Sequence, residues 1–83
     1  MKYQARVEVR LKSIHSDPEG ETTRRSLGEL GYPVEEVRVG KVYDIRLEGE
    51  SSIDAERMVE EMSRRLLANP VKDDYVFNVS EFE

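Results

Sequence analysis

Residues 35–48 read Glu-Glu-Val-Arg-Val-Gly-Lys-Val-Tyr-Asp-Ile-Arg-Leu-Glu, and the fold turns on how this run is taken. Val37, Val39, Tyr43, Ile45 and Leu47 are apolar at odd positions, while Glu36, Arg38, Asp44, Arg46 and Glu48 are polar at even ones. A period of two marks a strand with one buried and one wet face. Lys41 and Val42 interrupt the alternation, yet its parity survives Gly40-Lys41, so both halves can face one core. Two geometries are compatible: one long strand bent at Gly40, or a hairpin whose loop is Gly40-Lys41-Val42. The bent strand is preferred, because a glycine inside a strand pattern commonly marks a bulge or bend, whereas a three-residue hairpin more usually carries glycine late. A strand that long outruns its neighbours, and a second copy of the chain is the simplest partner for its open edge.

Upstream, residues 1–12 alternate in the same way, with Tyr3, Ala5, Val7, Val9 and Leu11 apolar between polar neighbours. The loop after them contains His15 and leads to Asp17-Pro18-Glu19-Gly20. This is a helix start: Asp17 caps, Pro18 occupies the first helical position, and Glu19 and Glu21 suit the positive end of the dipole. The helix runs through Thr23, Leu27 and Leu30 with a thin apolar face, and Gly31 ends it.

Downstream, Gly49-Glu50-Ser51-Ser52 is a turn in which a serine caps a second helix over about residues 53–67. Its apolar face is Ala55, Val59, Met62 and Leu66, with Met58 beside them. Asn69-Pro70 stops it, and a last strand carries Tyr75, Phe77 and Val79 on one face. The expected fold is α+β: an antiparallel sheet of three long (or four) strands with two helices on one face, β-α-β-(β)-α-β, related to the ferredoxin-like arrangement.

The chain has 83 residues, no cysteine, 37% charged residues and a net charge of −5. It is expected to form a single domain over residues 1–83, near the lower limit for an unaided core. An acidic balance disfavours nucleic acid, which selects a basic face. No stretch approaches the ~20 apolar residues of a membrane span, and a cytoplasmic location is expected.

Catalytic signals are sparse. His15 is the only histidine, so a histidine-based metal site would need carboxylates for its other ligands. No carboxylate pair sits in an apolar setting, serines 51 and 52 lack a glycine elbow, and there is no phosphate loop or dinucleotide fingerprint. The chain is therefore expected to hold no catalytic residue, metal or cofactor. Arg38 and Lys41, beside the flexible Gly40, suit contact with a phosphate or a partner carboxylate. Asn69-Pro70 reads either as a helix stop or as a contact loop.

Asp17-Pro18-Glu19-Gly20, Leu30-Gly31-Tyr32, Val37-Arg38-Val39-Gly40-Lys41, and Leu66-Leu67-Ala68-Asn69-Pro70-Val71 with Tyr75 together resemble the small PurS subunit family of phosphoribosylformylglycinamidine synthase. Glu19 and Ser63 depart from the family's usual glutamine and frequent cysteine. The resemblance implies a non-catalytic subunit that bridges a large synthetase subunit, where ATP and Mg are bound, and a glutamine amidotransferase subunit, supporting ammonia transfer. It also implies a homodimer or tetramer. Asp17, Gly20, Arg38, Gly40, Lys41, Asn69, Pro70 and Tyr75 are the candidate partner contacts. The rival from another class is a stand-alone ferredoxin-like module that binds a small-molecule regulator; a small isomerase with His15 as base is a third.

Overall fold

A computed structural model describes residues 1–82. Three strands and two helices occur in the order β1 (Lys2–Leu11), α1 (Pro18–Glu29), β2 (Gly40–Glu48), α2 (Ser52–Met62) and β3 (Asp73–Glu81). The sheet is antiparallel throughout in the order β2-β1-β3, so β1 is central and the other two strands are edges.

Register places every odd position on one face. Val7 lies opposite Tyr43 on one side and Phe77 on the other, and Ala5 opposite Ile45 and Val79. On this face Tyr3, Ala5, Val7 and Val9 are buried, and Val59 and Ala68 pack against the same core. The even face is wet: Arg6 pairs with Asp44 at 4.0 Å and with Glu8 at 3.9 Å, and the guanidinium of Arg46 stands 4.1 Å from the Phe82 ring centroid.

The strand expected over residues 35–48 is shorter than its pattern. β2 begins at Gly40, opposite Arg10, and residues 35–39 join no ladder, so Gly40 neither bends a long strand nor turns a hairpin. β1 continues one residue further, to Leu11, and on its other side the Lys12 N–H bonds the Lys72 carbonyl at 2.7 Å, in step with the β3 register. The Val39 N–H is taken instead by the Asp17 carboxylate at 2.7 Å. Val37 and Val39 are half-buried, but so is Arg38 between them, so burial does not follow the alternation where no strand forms. Among the described residues the sheet accordingly has three strands and no fourth.

The helices cap as their sequences dictate. Asp17 accepts from Gly20 N at 3.0 Å with Pro18 at the first helical position, and Gly31 takes φ 97° past the end of α1. Ser51 accepts from Asp54 N at 3.1 Å at the start of α2. Gly20 is the only buried residue of α1, so the cover over the core comes from α2, through Ala55 and Val59.

The expected core position Leu66 is corrected. It is 82% exposed, while Ser63 is fully buried and Leu67 half-buried. α2 continues into a π-helical turn, Ser63–Leu67, closed by Ala68 N to Ser63 O at 2.9 Å. A wider turn inserts one residue and rotates the chain beyond it, so Ala55, Val59, Ser63 and Leu67 line the core side. Ser63 is tolerated there because its hydroxyl donates to Val59 O at 2.8 Å.

Candidate functional site

The eight candidate contact residues come from four separate segments, and the sheet gathers them at one end. Gly40 lies opposite Arg10, which lies opposite Asp74, and Lys41 and Tyr75 flank Val9 from either side. Asp17 and Arg38 join this end through hydrogen bonds to Val39 N and to Lys12 O. An open cleft of about 280 Å³ lies there between Asp17, Val39, Gly40, Lys41, Leu67 and Asp73.

Asp17 is bound on both oxygens: Oδ1 accepts from Gly20 N at 3.0 Å and Oδ2 from Val39 N at 2.7 Å. The N–H of Val39, then that of Gly20, hold the carboxyl below its ordinary range; desolvation opposes them and Arg38 adds to them. Gly20 packs its backbone on the same segment, where a Cβ would lie 2.1 Å from Val37 O. Asp17 and Gly20 thus build the end of the sheet rather than project from it. Arg38 is half-buried and donates from Nη2 to Lys12 O at 3.0 Å. Gly40 is needed for close approach, since a Cβ there would lie 2.9 Å from Val9 O. Lys41 is the exposed charge of the group.

Asn69, Pro70 and Tyr75 form the other half. Asn69 Oδ1 accepts from Val71 N at 2.9 Å and Lys72 N at 3.2 Å, an Asx turn, while Asn69 N donates to Asp73 Oδ2 at 2.8 Å. This presents Pro70 and Val71 to solvent at the loop tip. The Tyr75 hydroxyl donates to Glu60 Oε1 at 2.6 Å, pinning β3 to α2, and that carboxylate together with burial raises the phenol's pKa.

Sequence reasoning missed Lys12 and Asp73. Lys12 joins the halves: its carbonyl receives Arg38, its N–H reaches Lys72 O, and its ammonium meets Asp74 at 2.8 Å. No sequence signal marks such a hub, because these partners lie far along the chain. His15 sits half-buried in the turn before α1, its N–H on Lys12 O at 3.0 Å. Among the described residues no group of three or more His, Cys, Asp or Glu side chains is placed to hold a metal ion. No described helix is long and apolar enough to cross a membrane.

A pH dependence arises from Asp17. Its folded pKa is depressed, so its contribution is present above the unfolded value and is lost as pH falls through the folded one. Comparing wild type with Asp17→Asn in denaturant melts from pH 7 to pH 2 is expected to give a stability gap that is constant above about pH 5 and narrows below about pH 4. A gap independent of pH would remove the carboxylate charge as its source.

Residues 4–81 match the family model described as PurS, phosphoribosylformylglycinamidine (FGAM) synthase. A relative from Methanocaldococcus jannaschii, phosphoribosylformylglycinamidine synthase subunit PurS, is 44% identical over 82 residues, which is 98% of this chain and 99% of the relative. Among solved structures, Thermus thermophilus PurS is 40% identical with a TM-score of 0.89 over 100% of both chains. A chain in the structure of PurLQS from Thermotoga maritima is 34% identical with a TM-score of 0.86 over 99% of both.

Proposed function

The chain belongs to the PurS family of phosphoribosylformylglycinamidine synthase, and from that premise we propose that it is the small, non-catalytic subunit of this ATP-dependent, glutamine-using enzyme of purine synthesis. Residues 1–83 act as one domain that bridges the large synthetase subunit and the glutamine amidotransferase subunit in the cytoplasm, supporting passage of ammonia from one to the other. ATP and Mg belong to the large subunit. The observation that carries the reading is likeness along the whole chain, including a chain that was solved within PurLQS. A surface whose polar groups are engaged within the fold, with a contact end built by Asp17, Arg38 and Asn69, suits a docking role. The chain works as a dimer or a dimer of dimers, because edge strand β2 leaves Tyr43, Ile45 and Leu47 only half-covered.

The test is glutamine-dependent amidine formation by the two larger subunits of the same organism, with and without this chain, beside an ammonia-dependent control. The chain is expected to be required with glutamine and dispensable with ammonia. No effect on either reaction, together with failure to co-elute with the two subunits, would remove the bridging reading. In the same assay Lys41→Ala and Arg38→Ala are expected to weaken assembly. Lys41 is the cleaner probe, because Arg38 also loses its bond to Lys12 O, a tie worth about 1 kcal/mol. Full activity and normal assembly of both variants would take the contact role from these residues.

A further inference from the structure

β3 is the second edge of the sheet, and two bonds near its ends fix where its main-chain groups point. Lys12 N–H donates to Lys72 O at 2.7 Å, and Phe82 N–H to Lys2 O at 2.9 Å. The even members of the β1–β3 register, from Arg10–Asp74 to Gln4–Ser80, are therefore the hydrogen-bonded pairs. The odd residues Tyr75, Phe77 and Val79 turn their N–H and C=O groups away from β1. Among the described residues no strand lies beyond β3 to meet them.

Sheet edges are ordinarily blunted by proline, lysine or a bulge. β3 reads Asp-Asp-Tyr-Val-Phe-Asn-Val-Ser-Glu, without proline or lysine, and its register with β1 runs unbroken from Asp73 to Glu81. Its charges are all acidic and confined to the two ends, leaving residues 75–80 uncharged.

We propose that the outer edge of β3 receives an extended segment of a partner protein as a fourth strand, one with alternating apolar residues and basic ends.

Charge selects the occupant. Of the three acids of β3, Asp74 is paired with Lys12 at 2.8 Å, while Asp73 and Glu81 have no ion pair among the described residues. Glu60, whose carboxylate bonds the Tyr75 hydroxyl, adds negative charge beside the edge, and Arg64 one helical turn on opposes it. A second copy fits worse. Paired antiparallel over its full length about Phe77, another β3 would bring Asp73 against Glu81 at both ends; paired parallel in register, it would set each acid against itself. Cations at the two ends of an incoming strand meet Asp73 and Glu81 in either direction. Tyr75, Phe77 and Val79 are half-buried, so their remaining apolar surface is open to alternate side chains of the added strand. For the source of that strand the inference rests on the docking role proposed above, which supplies it from one of the two larger subunits; the edge itself belongs to this chain alone.

The probe is a peptide of β3's own length, nine residues, alternating valine and threonine with a lysine at each end; its control carries glutamate at each end. Each is titrated at low salt into the purified, isotope-labelled full-length chain, and amide shifts and hydrogen exchange are read by NMR. The lysine-ended peptide is expected to slow exchange at the Tyr75, Phe77 and Val79 amides and to bind about tenfold tighter than its control. Glu81 is exposed and unpaired, so Glu81→Lys is expected to leave the fold intact and to reduce that preference severalfold. Equal binding of the two peptides, protection confined to β2, or no change at the three amides would overturn the proposal. So would protection of those amides in the free chain that is lost on dilution, which would put a second copy on this edge. Neither larger subunit is present, so failure here leaves bridging to the glutamine-dependent assay, and failure of that assay leaves the edge to this one.

Discussion

Gly20→Ala is expected to destabilise the protein by about 1–3 kcal/mol, the usual cost of inserting a methyl group into a packed contact. The added Cβ would lie 2.1 Å from Val37 O, 2.9 Å from Val37 C and 3.1 Å from Asp17 Oδ2. Two of these atoms are main chain, and the third is the carboxylate oxygen that accepts from Val39 N in the same stretch. No flexible side chain is there to yield, so relief requires that α1 lift from residues 37–39. For a domain of this size each kcal/mol corresponds to about 4–8 °C in Tm. Gly28→Ala supplies the internal control, since nothing lies within 4 Å of its added Cβ. It removes a glycine from a helix interior and is expected to stabilise by about 0.5–1 kcal/mol. One helix thus answers the same substitution with opposite signs at positions eight residues apart. Equal thermal shifts for both variants would mean that the Gly20–Val37 contact does not hold α1.

That contrast also marks where the sequence stops being readable. Asp17-Pro18 gives the helix start from local chemistry, because a cap needs only an acceptor three residues from its donor. Gly20, by the same local reading, is an ordinary first-turn residue; its reason lies in Val37, which the chain brings back only after the whole of α1. Residues 35–39 fail in the complementary way. Their alternation is that of a strand, but Val37, Arg38 and Val39 are equally half-buried, and the Val39 N–H, which the register would bring opposite Leu11, is bonded to the Asp17 carboxylate instead. α2 adds a third case. The spacing of Ala55, Val59 and Met62 extrapolates to Leu66 on an unbroken α-helix, and the π-helical turn at Ser63 exchanges Leu66 for Leu67. The candidate site was legible as a set of segments, through family likeness and through Gly40's place in a strand pattern. Its assembly about Lys12 was not, since the bonds that join Lys12 to Arg38, Lys72 and Asp74 each span 26 residues or more.

In the proposed dimer, Ile45→Lys is expected to abolish self-association while leaving the monomer folded. Register puts Ile45 opposite Ala5, which is fully buried, yet Ile45 itself is only half-covered, as are Tyr43 and Leu47 on either side of it. The edge positions are half-covered on both sides of the sheet, Tyr75, Phe77 and Val79 on β3 as well, because α2 alone covers the core, through Ala55 and Val59, and α1 adds no apolar side chain to it. Three adjacent apolar side chains on an edge strand form a patch of the kind that marks an interaction surface. With 83 residues the chain also has little core of its own to hold in reserve. A second copy satisfies both the patch and the open edge, and a lysine at the patch centre would carry a charge into the interface. Loss of a central interface residue commonly costs about 2 kcal/mol or more, which is at least a roughly 30-fold rise in the dimer Kd at about 1.4 kcal/mol per tenfold. In the monomer the same lysine can extend its ammonium to solvent, so far-UV circular dichroism should be unchanged. Val76→Lys is the matched control: it changes a 61% exposed valine on the wet face and is expected to leave the sedimentation profile as it is. Should Ile45→Lys sediment as wild type does, β2 does not join copies of the chain. The half-covered strand would then face a different partner, and the synthetase and amidotransferase subunits are the next to be tried against it.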